Sequence, residues 1–371
     1  MRGNKVLGII FANTDDSALS ELTGIRSMAS VPFGGGFRAI DFVLSNMVNA
    51  GVNKVGVITN TNYQSLMDQI GGGKPWDLTG RNSGIYILPP FNALQAENYR
   101  SSRIGALRNV SHFLGRCTEE YVLLTDCTYI SNIDFSDVFA SHTDSQADIT
   151  VLYKNGKVPG LSNQLKIEKM TDGRIEALSA AAGTESDASC VLKCALMKKS
   201  LLERLLGECA AKSEESFEKA FLIDQLSCLN VRGYEIKGFC PVLDSLKSYF
   251  DANFALIDKN IYREMFFERP VYSKVYDDMP AVYGIKGDVR ASLIADGCVI
   301  NGTVENSVLF RGVRVERGAV VRNSIVLPHG IISENALLNF AVTDKNVTIC
   351  SGRNISGADS FPIYIGKGIR V

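Results

Sequence analysis

"VLFRGVRVERGAVVRNSIVLPHGIIS", residues 308–333, carries aliphatic residues at a fixed spacing. Leu309, Val315 and Val321 are six apart, as are Ile325 and Ile331, and Gly312, Gly318 and Gly330 fall between them. The pattern continues outward, to Leu293 and Val299 upstream and to Ile349 and Ile355 downstream, with Gly297, Gly302 and Gly352 interspersed. A six-residue repeat of aliphatic, small and turn residues predicts a β-helix, in which each hexad supplies one flat side of a coil and its aliphatic side chain stacks inward. One coil buries little by itself, so the repeat is stable only as an array. The reading is a left-handed parallel β-helix over 288–371, whose flat faces suit scaffolding and subunit contact.

Ahead of it the texture is different. Val6–Phe11, Lys54–Thr59, Tyr121–Leu124 and Ile149–Tyr153 read as buried strands. Phe37–Ala50, Tyr99–Phe113 and Phe135–His142 read as helices between them. This alternation predicts an α/β domain over 1–270, with a parallel sheet covered by helices on both faces. Its later part, 195–270, reads as more helical, with apolar spacing in Leu201–Leu206, Ser216–Cys228 and Leu243–Tyr262. Pro270 closes it, and 271–287 reads as a linker. Ligands of such sheets bind at the carboxyl ends of the strands. One such end is the loop after Phe11, and another is Thr125-Asp126.

Composition sets the bounds. The 371 residues favour two domains. Lys plus Arg total 39 and Asp plus Glu total 40, which gives no electrostatic footprint for nucleic acid. No apolar run is long enough for a membrane helix, and the N-terminus shows no signal-peptide core. The nine cysteines are scattered without a C-x-x-C pair, which favours free thiols in a reducing cytoplasm over disulfides or zinc.

The first loop poses the functional question. In nucleotide-using α/β proteins, glycines at this turn let backbone N–H groups cradle phosphates. Here it reads Asn13-Thr-Asp-Asp-Ser17, with no glycine and two adjacent carboxylates.

Longer matches bear on that question. Val31–Asn46, VPFGGGFRAIDFVLSN, resembles the VPFGGKYRIIDFxLSN stretch of bacterial ADP-glucose pyrophosphorylases, that is, glucose-1-phosphate adenylyltransferases. Gly71–Leu78 resembles their GxGxPWDL, and Ile87–Pro90 their ILPP. Asp296–Gly302, Ser307–Gly312 and Asp344–Val347 match within the hexapeptide region. The resemblance spans nearly the whole chain. It implies a Rossmann-like nucleotidyltransferase domain before the β-helix. It also implies a family activity, making ADP-glucose and pyrophosphate from ATP and glucose 1-phosphate with Mg²⁺, in glycogen synthesis.

Read against the family's working parts, the chain departs at each. The loop G-G-x-G-x-R places its glycines on Asn13, Thr14 and Asp16 and its arginine on Ala18, with Asp15 between. Like charges about 4 Å apart repel by roughly 4 kcal/mol at an effective dielectric near 20, so a carboxylate facing a polyphosphate opposes binding. Asp15 and Asp16 are equally readable as caps of the next helix. The lysine of RAKPAVPFGG is Met28, while its arginine remains as Arg26. Of the metal-binding GDHIY, only the aspartate persists, as Asp126. The second metal aspartate, of WRDVGTxxxYxxAN, is Val242, and its neighbouring arginine is Pro241. Asp244 lies two residues on, about 7 Å along a strand. That is too far to share an ion whose ligands sit at about 2.1 Å. Pro89 and Tyr99 are the candidates for a base or sugar pocket, and the sugar-phosphate lysine of EKP has no counterpart around Ile175–Ala181.

These losses resemble the D-type subunits of the family in Gram-positive bacteria, which pair with a catalytic C-type chain. The resemblance implies a cytoplasmic, catalytically impaired regulatory subunit in a heterotetramer, with Mg²⁺ serving the partner's site. Arg26, Arg38 and Arg311 are candidates for a phosphorylated effector, or else structural or solvent-facing arginines. Alternatives are an active nucleotidyltransferase using Asp126 with Asp244, a hexapeptide acyltransferase using His329, and a purely structural protein.

Overall fold

The computed structural model describes residues 2–13, 16–80, 83–89, 102–161, 163–181, 187–212, 214 and 216–371. Nine strands form the main sheet: β1 (Val6–Phe11), β2 (Lys54–Ile58), β3 (Gly84–Leu88), β4 (Tyr121–Asp126), β5 (Ile149–Gly156), β6 (Leu165–Thr171), β7 (Arg174–Ala180), β8 (Ala188–Lys198) and β9 (Val231–Glu235). Their order is β3-β2-β1-β4-β8-β5-β9-β7-β6. The first four run parallel, as expected. The sheet as a whole is mixed, because β8 runs antiparallel to both β4 and β5. An apolar run announces burial but carries no direction, so the predicted all-parallel sheet is corrected here.

Strand β1 shows why the centre of this sheet was legible. All six residues are buried, with Val6 and Ile10 in one apolar cluster and Leu7, Ile9 and Phe11 in another on the opposite face. A strand covered on both sides has no reason to alternate with polar residues. Helices α1 (Ala39–Asn49) and α2 (Phe135–Asp144) occupy the predicted spans, shortened or lengthened at their ends. Of the helix expected over Tyr99–Phe113, residues 99–101 lie outside the described residues, and the rest forms one short helix, Arg103–Asn109, and the start of another, Ser111–Arg116. Leu201–Leu206 lies within α3 (Lys199–Lys212). Ser216–Cys228 holds only short turns at Glu218–Leu222 and Ile223–Gln225. Leu243–Tyr262 divides into α4 (Leu246–Ala255) and α5 (Lys259–Phe266), because Asp258 caps the second helix by accepting the Asn260 N–H.

The C-terminal part is the left-handed β-helix, built of three five-stranded parallel sheets. Its pairing already includes Val282–Tyr283, which lies against Val299–Ile300, inside the stretch read as a linker. Ile300, Val304, Leu309, Val315, Val321, Val326, Ile332 and Ile349 are fully buried along its axis. One face leaves its outer side chains against the α/β domain: Val308, Phe310, Ile325, Leu327 and Val342 join that domain's apolar cluster. Each such side chain, fully buried, contributes about 1.5–3 kcal/mol. The two domains are therefore joined by a continuous core.

Candidate functional site

The carboxyl end of β1 sits between those of β2 and β4, with Phe11 beside Ile58 and Asp126. In the loop that follows, Thr14 and Asp15 lie outside the described residues. The flanking side chains close on the protein itself. Asn13 Oδ1 accepts from the Thr59 hydroxyl at 3.0 Å and the Asn60 N–H at 2.8 Å, and its Nδ2 donates to Thr61 O at 3.1 Å and to Asp16 Oδ2 at 2.8 Å. Asp16 Oδ1 accepts the Met28 N–H at 2.9 Å. Asp16 thus holds the chain at Met28, twelve residues on, by a bond outside its own short turn Asp16–Leu19. Met28 is fully buried and its side chain fills the core. Ala18 is half-buried beside this network.

Asp126 ends β4 and is fully buried. Its Oδ1 accepts from the Thr128 N–H at 3.1 Å and the Thr128 hydroxyl at 2.8 Å, while its Oδ2 has no hydrogen-bond partner among the described residues. Burial pushes its pKa above the ordinary carboxylate value, and Lys193 and Arg103 pull in the other direction. A short ladder then brings the second expected position close. The Leu243 N–H donates to Thr128 O at 2.7 Å, the Ile130 N–H to Pro241 O at 3.0 Å, and Tyr129 pairs with Val242. The structure therefore places Val242 beside Tyr129, three residues past Asp126, and this second position is aliphatic. Asp244 serves the neighbouring loop: Oδ2 accepts the Gly160 N–H at 2.7 Å and Oδ1 the Ser245 hydroxyl at 3.1 Å. Pro89 follows the end of β3 and is half-buried; Tyr99 is outside the described residues.

A second polar site lies between the domains. It is a cavity with about 170 Å³ of water-accessible space, lined by Arg38, Arg311, Lys345, His329, Tyr276 and Asp278 among others. Arg38 is held by Ser65, with Nη1 2.8 Å from Oγ, at the start of α1. Arg311 lies over the Tyr276 ring, 3.3 Å from its centroid, with Nε 3.2 Å from Asp278 and Nη1 buried without a hydrogen-bond partner among the described residues. Burial, then the charges of Arg38 and Arg26, push the Lys345 amine down to about 7.

Arg26, read as an effector ligand or a structural arginine, stands in an ion pair with Asp344. It is 2% exposed, and its Nη2 donates to both oxygens of Asp344 at 2.6 and 2.8 Å. Asp344 also accepts from the Lys345 N–H at 2.7 Å and the Tyr364 hydroxyl at 2.8 Å. This knot ties the first domain to the β-helix. The sequence reading missed Lys345 as a site residue. It stands inside the Asp344–Val347 match, which was read as a marker of fold alone.

Comparison with known proteins agrees with this two-part architecture. A family described as nucleotidyl transferase matches residues 7–162, and one described as GlmU-like, C-terminal hexapeptide matches 279–360. The "Glycogen biosynthesis protein GlgD" of Bacillus subtilis (strain 168) is 30% identical over 373 residues, covering 100% of this chain and 98% of the relative. The protein of the same name from Geobacillus stearothermophilus is 34% identical over 324 residues, covering 86% and 83%. The chain belongs to the GlgD family of bacterial glucose-1-phosphate adenylyltransferases. The "Glucose-1-phosphate adenylyltransferase" of Bacillus mycoides (strain KBAB4) is 29% identical over 359 residues, covering 94% of each chain.

Nucleotidyltransferases of this kind generally use Mg²⁺. In this GlgD-family chain Asp126 offers the ion a single carboxylate, and the family's second metal position is Val242. Mg²⁺ is bound through one or two carboxylates in near-octahedral oxygen coordination. Here one carboxylate has an oxygen held by Thr128, an aliphatic side chain stands at the second position, and Asp244 is bonded to Gly160 and Ser245. No group of three His, Cys, Asp or Glu side chains suited to a metal exists among the described residues.

Proposed function

We propose that this chain is a regulatory, catalytically impaired subunit of glucose-1-phosphate adenylyltransferase, and that it acts on a catalytic C-type partner. Nucleotidyl transfer depends on charge neutralisation and in-line positioning more than on covalent help from the protein. The observation that carries the reading is the set of bonds made by Asn13 and Asp16, on either side of Thr14 and Asp15, after β1. Asn13 and Asp16 take up the polar groups of the Thr59–Thr61 and Met28 segments that border the loop. Asp16 also adds negative charge to the place where a triphosphate needs donors. Val242 removes the second carboxylate, so the Mg²⁺ of the reaction belongs to the partner's site.

The chain works by contact. A subunit that binds one conformation of its partner more tightly shifts the partner's population by that difference in binding free energy. The interdomain cavity supports a phosphorylated effector, with Arg38 and Arg311 as ligands and Lys345 as a third cation. A heterotetramer of the two chain types is the expected assembly.

The test is co-expression with a C-type catalytic chain, measuring complex stoichiometry and turnover of ATP with glucose 1-phosphate. A stable mixed complex with altered turnover is expected. Absence of a complex, or turnover by the isolated chain at the rate of the catalytic relatives, rejects the proposal.

A further inference from the structure

We propose that Lys345 is a carbamylation site, whose side-chain amine takes up carbon dioxide inside the interdomain cavity as a carbamate balanced by Arg38 and Arg311. The modification stands on the cavity alone. Its consequence for regulation rests on the effector reading given above.

The cavity carries cations without matching anions. Arg38, Arg311 and Lys345 line it, and Asp278 is the one carboxylate among its described lining residues. Asp278 is already engaged, 3.2 Å from Arg311 Nε, while Arg311 Nη1 is buried without a hydrogen-bond partner among the described residues. Asp344, next to Lys345 in the chain, is occupied as well. Its oxygens accept from Arg26, from the Tyr364 hydroxyl and from the Lys345 N–H. Among the described residues, the Lys345 amine itself has neither a hydrogen-bond nor an ion-pair partner. Like charges gathered in a space of about 170 Å³ repel, and an anion formed there relieves them.

The amine is suited to becoming that anion. Lys345 is half-buried. Burial, then Arg38 and Arg26, bring its pKa down to about 7, with Asp344 opposing and Lys367 adding to the fall. Roughly half of the amine is then neutral at pH 7, where an ordinary lysine, near 10.4, is almost wholly protonated. Only the neutral amine attacks carbon dioxide. The Nζ lone pair forms the N–C bond, one C=O electron pair moves onto oxygen, and the surplus proton on nitrogen leaves to water. Amine plus carbon dioxide thus gives carbamate plus a proton, and nothing is oxidised or reduced. Guanidinium groups pair well with such carboxylate-like oxygens, and Arg311 Nη1 is a donor still unused. The arginine, lysine and carboxylate side chains of the lining then amount to two cations and two anions. A phosphorylated effector meets an anion at Lys345 where it met a cation, so carbon dioxide and effector exclude one another.

The experiment uses the full chain in ¹³C-bicarbonate buffer, traps carbamates with triethyloxonium ion and maps them by peptide mass spectrometry. Lys345 is expected to carry the label well ahead of Lys74, which is exposed. Arg38→Met and Arg311→Met are each expected to lower the labelled fraction about tenfold, the scale of losing a charged hydrogen-bond donor. Excess sulfate is expected to lower it in the native chain. No label at Lys345 overturns the proposal, and so does equal label at Lys345 and Lys74. A labelled fraction unchanged in both folded arginine variants also overturns it. If neither variant folds, sulfate competition in the native chain decides, and labelling that sulfate leaves untouched rejects the site. No partner chain enters these readouts. A cavity that binds sulfate but takes no label fails here and keeps the effector reading, whereas a labelled chain that forms no complex does the reverse.

Discussion

The strand-end cleft and the interdomain cavity are both lined with charge, and they handle it in opposite ways. At the strand ends the side chains answer one another. Asn13 bonds Asp16, Asp16 bonds Met28, and Thr128 holds Asp126. Between the domains, Arg38, Arg311 and Lys345 crowd around open space, and Arg311 keeps a buried Nη1 without a hydrogen-bond partner among the described residues. Like charges held close together are costly unless something else supports them, either a rigid frame or an anion that comes and goes. The cavity has the frame, in the Arg26–Asp344 knot. The contrast separates polar side chains that bond one another at the strand ends from cations that line open space at the seam between the domains.

The largest expected effect tests that frame. Asp344→Ala leaves Arg26 buried without its carboxylate, and removing one partner of a buried pair costs about 3–5 kcal/mol. Urea unfolding is the measurement. Arg26→Met with Asp344→Leu is expected to recover most of the loss, because well-packed apolar replacements of buried pairs are often neutral. A loss under about 1 kcal/mol in Asp344→Ala breaks the comparison, since the pair is then no strut.

A smaller effect tests the closed cleft. Asp16→Ala frees the Met28 N–H and one donor of Asn13. An unsatisfied donor costs about 1–3 kcal/mol, and partial exposure of the loop favours the low end of that range. The loss is expected to be the same with and without ATP and Mg²⁺. If ATP protects the native chain against heat, and more so in Asp16→Ala, the loop is a working nucleotide site restrained by a single carboxylate.

Much of the fold was legible, for reasons that particular residues show. Val6–Phe11 is apolar throughout because both its faces are covered, and its bounds were read as the structure has them. The six-residue repeat announced the β-helix, but its reading of Ile325 and Ile331 as inward-stacking residues is corrected by the structure. Ile332 is buried on the axis whereas Ile331 is 38% exposed, and Ile325 docks on the first domain while Val326 faces the axis. Strand β8 was not seen at all, because Lys193 interrupts its apolar run. The site was legible only where it could be laid against family motifs, as at Asp126 and Val242. The placement of Arg103 over Phe11, and of Phe11 beside Asp126, depends on packing between distant segments, which local spacing does not encode.

The smallest effect concerns the cavity's charge and gives the sharpest test of the contrast. Burial, with Arg38 and Arg26 nearby, brings the Lys345 amine down to about 7 from an ordinary 10.5, while Asp344 pulls the other way and Lys367 adds to the lowering. Arg311, His329 and Asp278 face the same space. Sulfate is the suitable probe, because its own charge does not change near neutrality. Below pH 7 Lys345 carries its proton and adds to the attraction. Above 7 it is neutral, and the rise in melting temperature that sulfate produces should shrink. Loss of one cation near a bound anion is expected to weaken sulfate binding by about tenfold, or 1.4 kcal/mol. Without sulfate the sign reverses. Between 7 and 10.5 the unfolded chain holds the lysine proton and the folded chain does not, so this group's contribution to stability rises with pH. Lys345→Met should abolish both slopes. A sulfate response that still falls through pH 7 in that variant assigns the titration to another group, and a native chain with no sulfate response removes the cavity from the argument and leaves the two clefts alike.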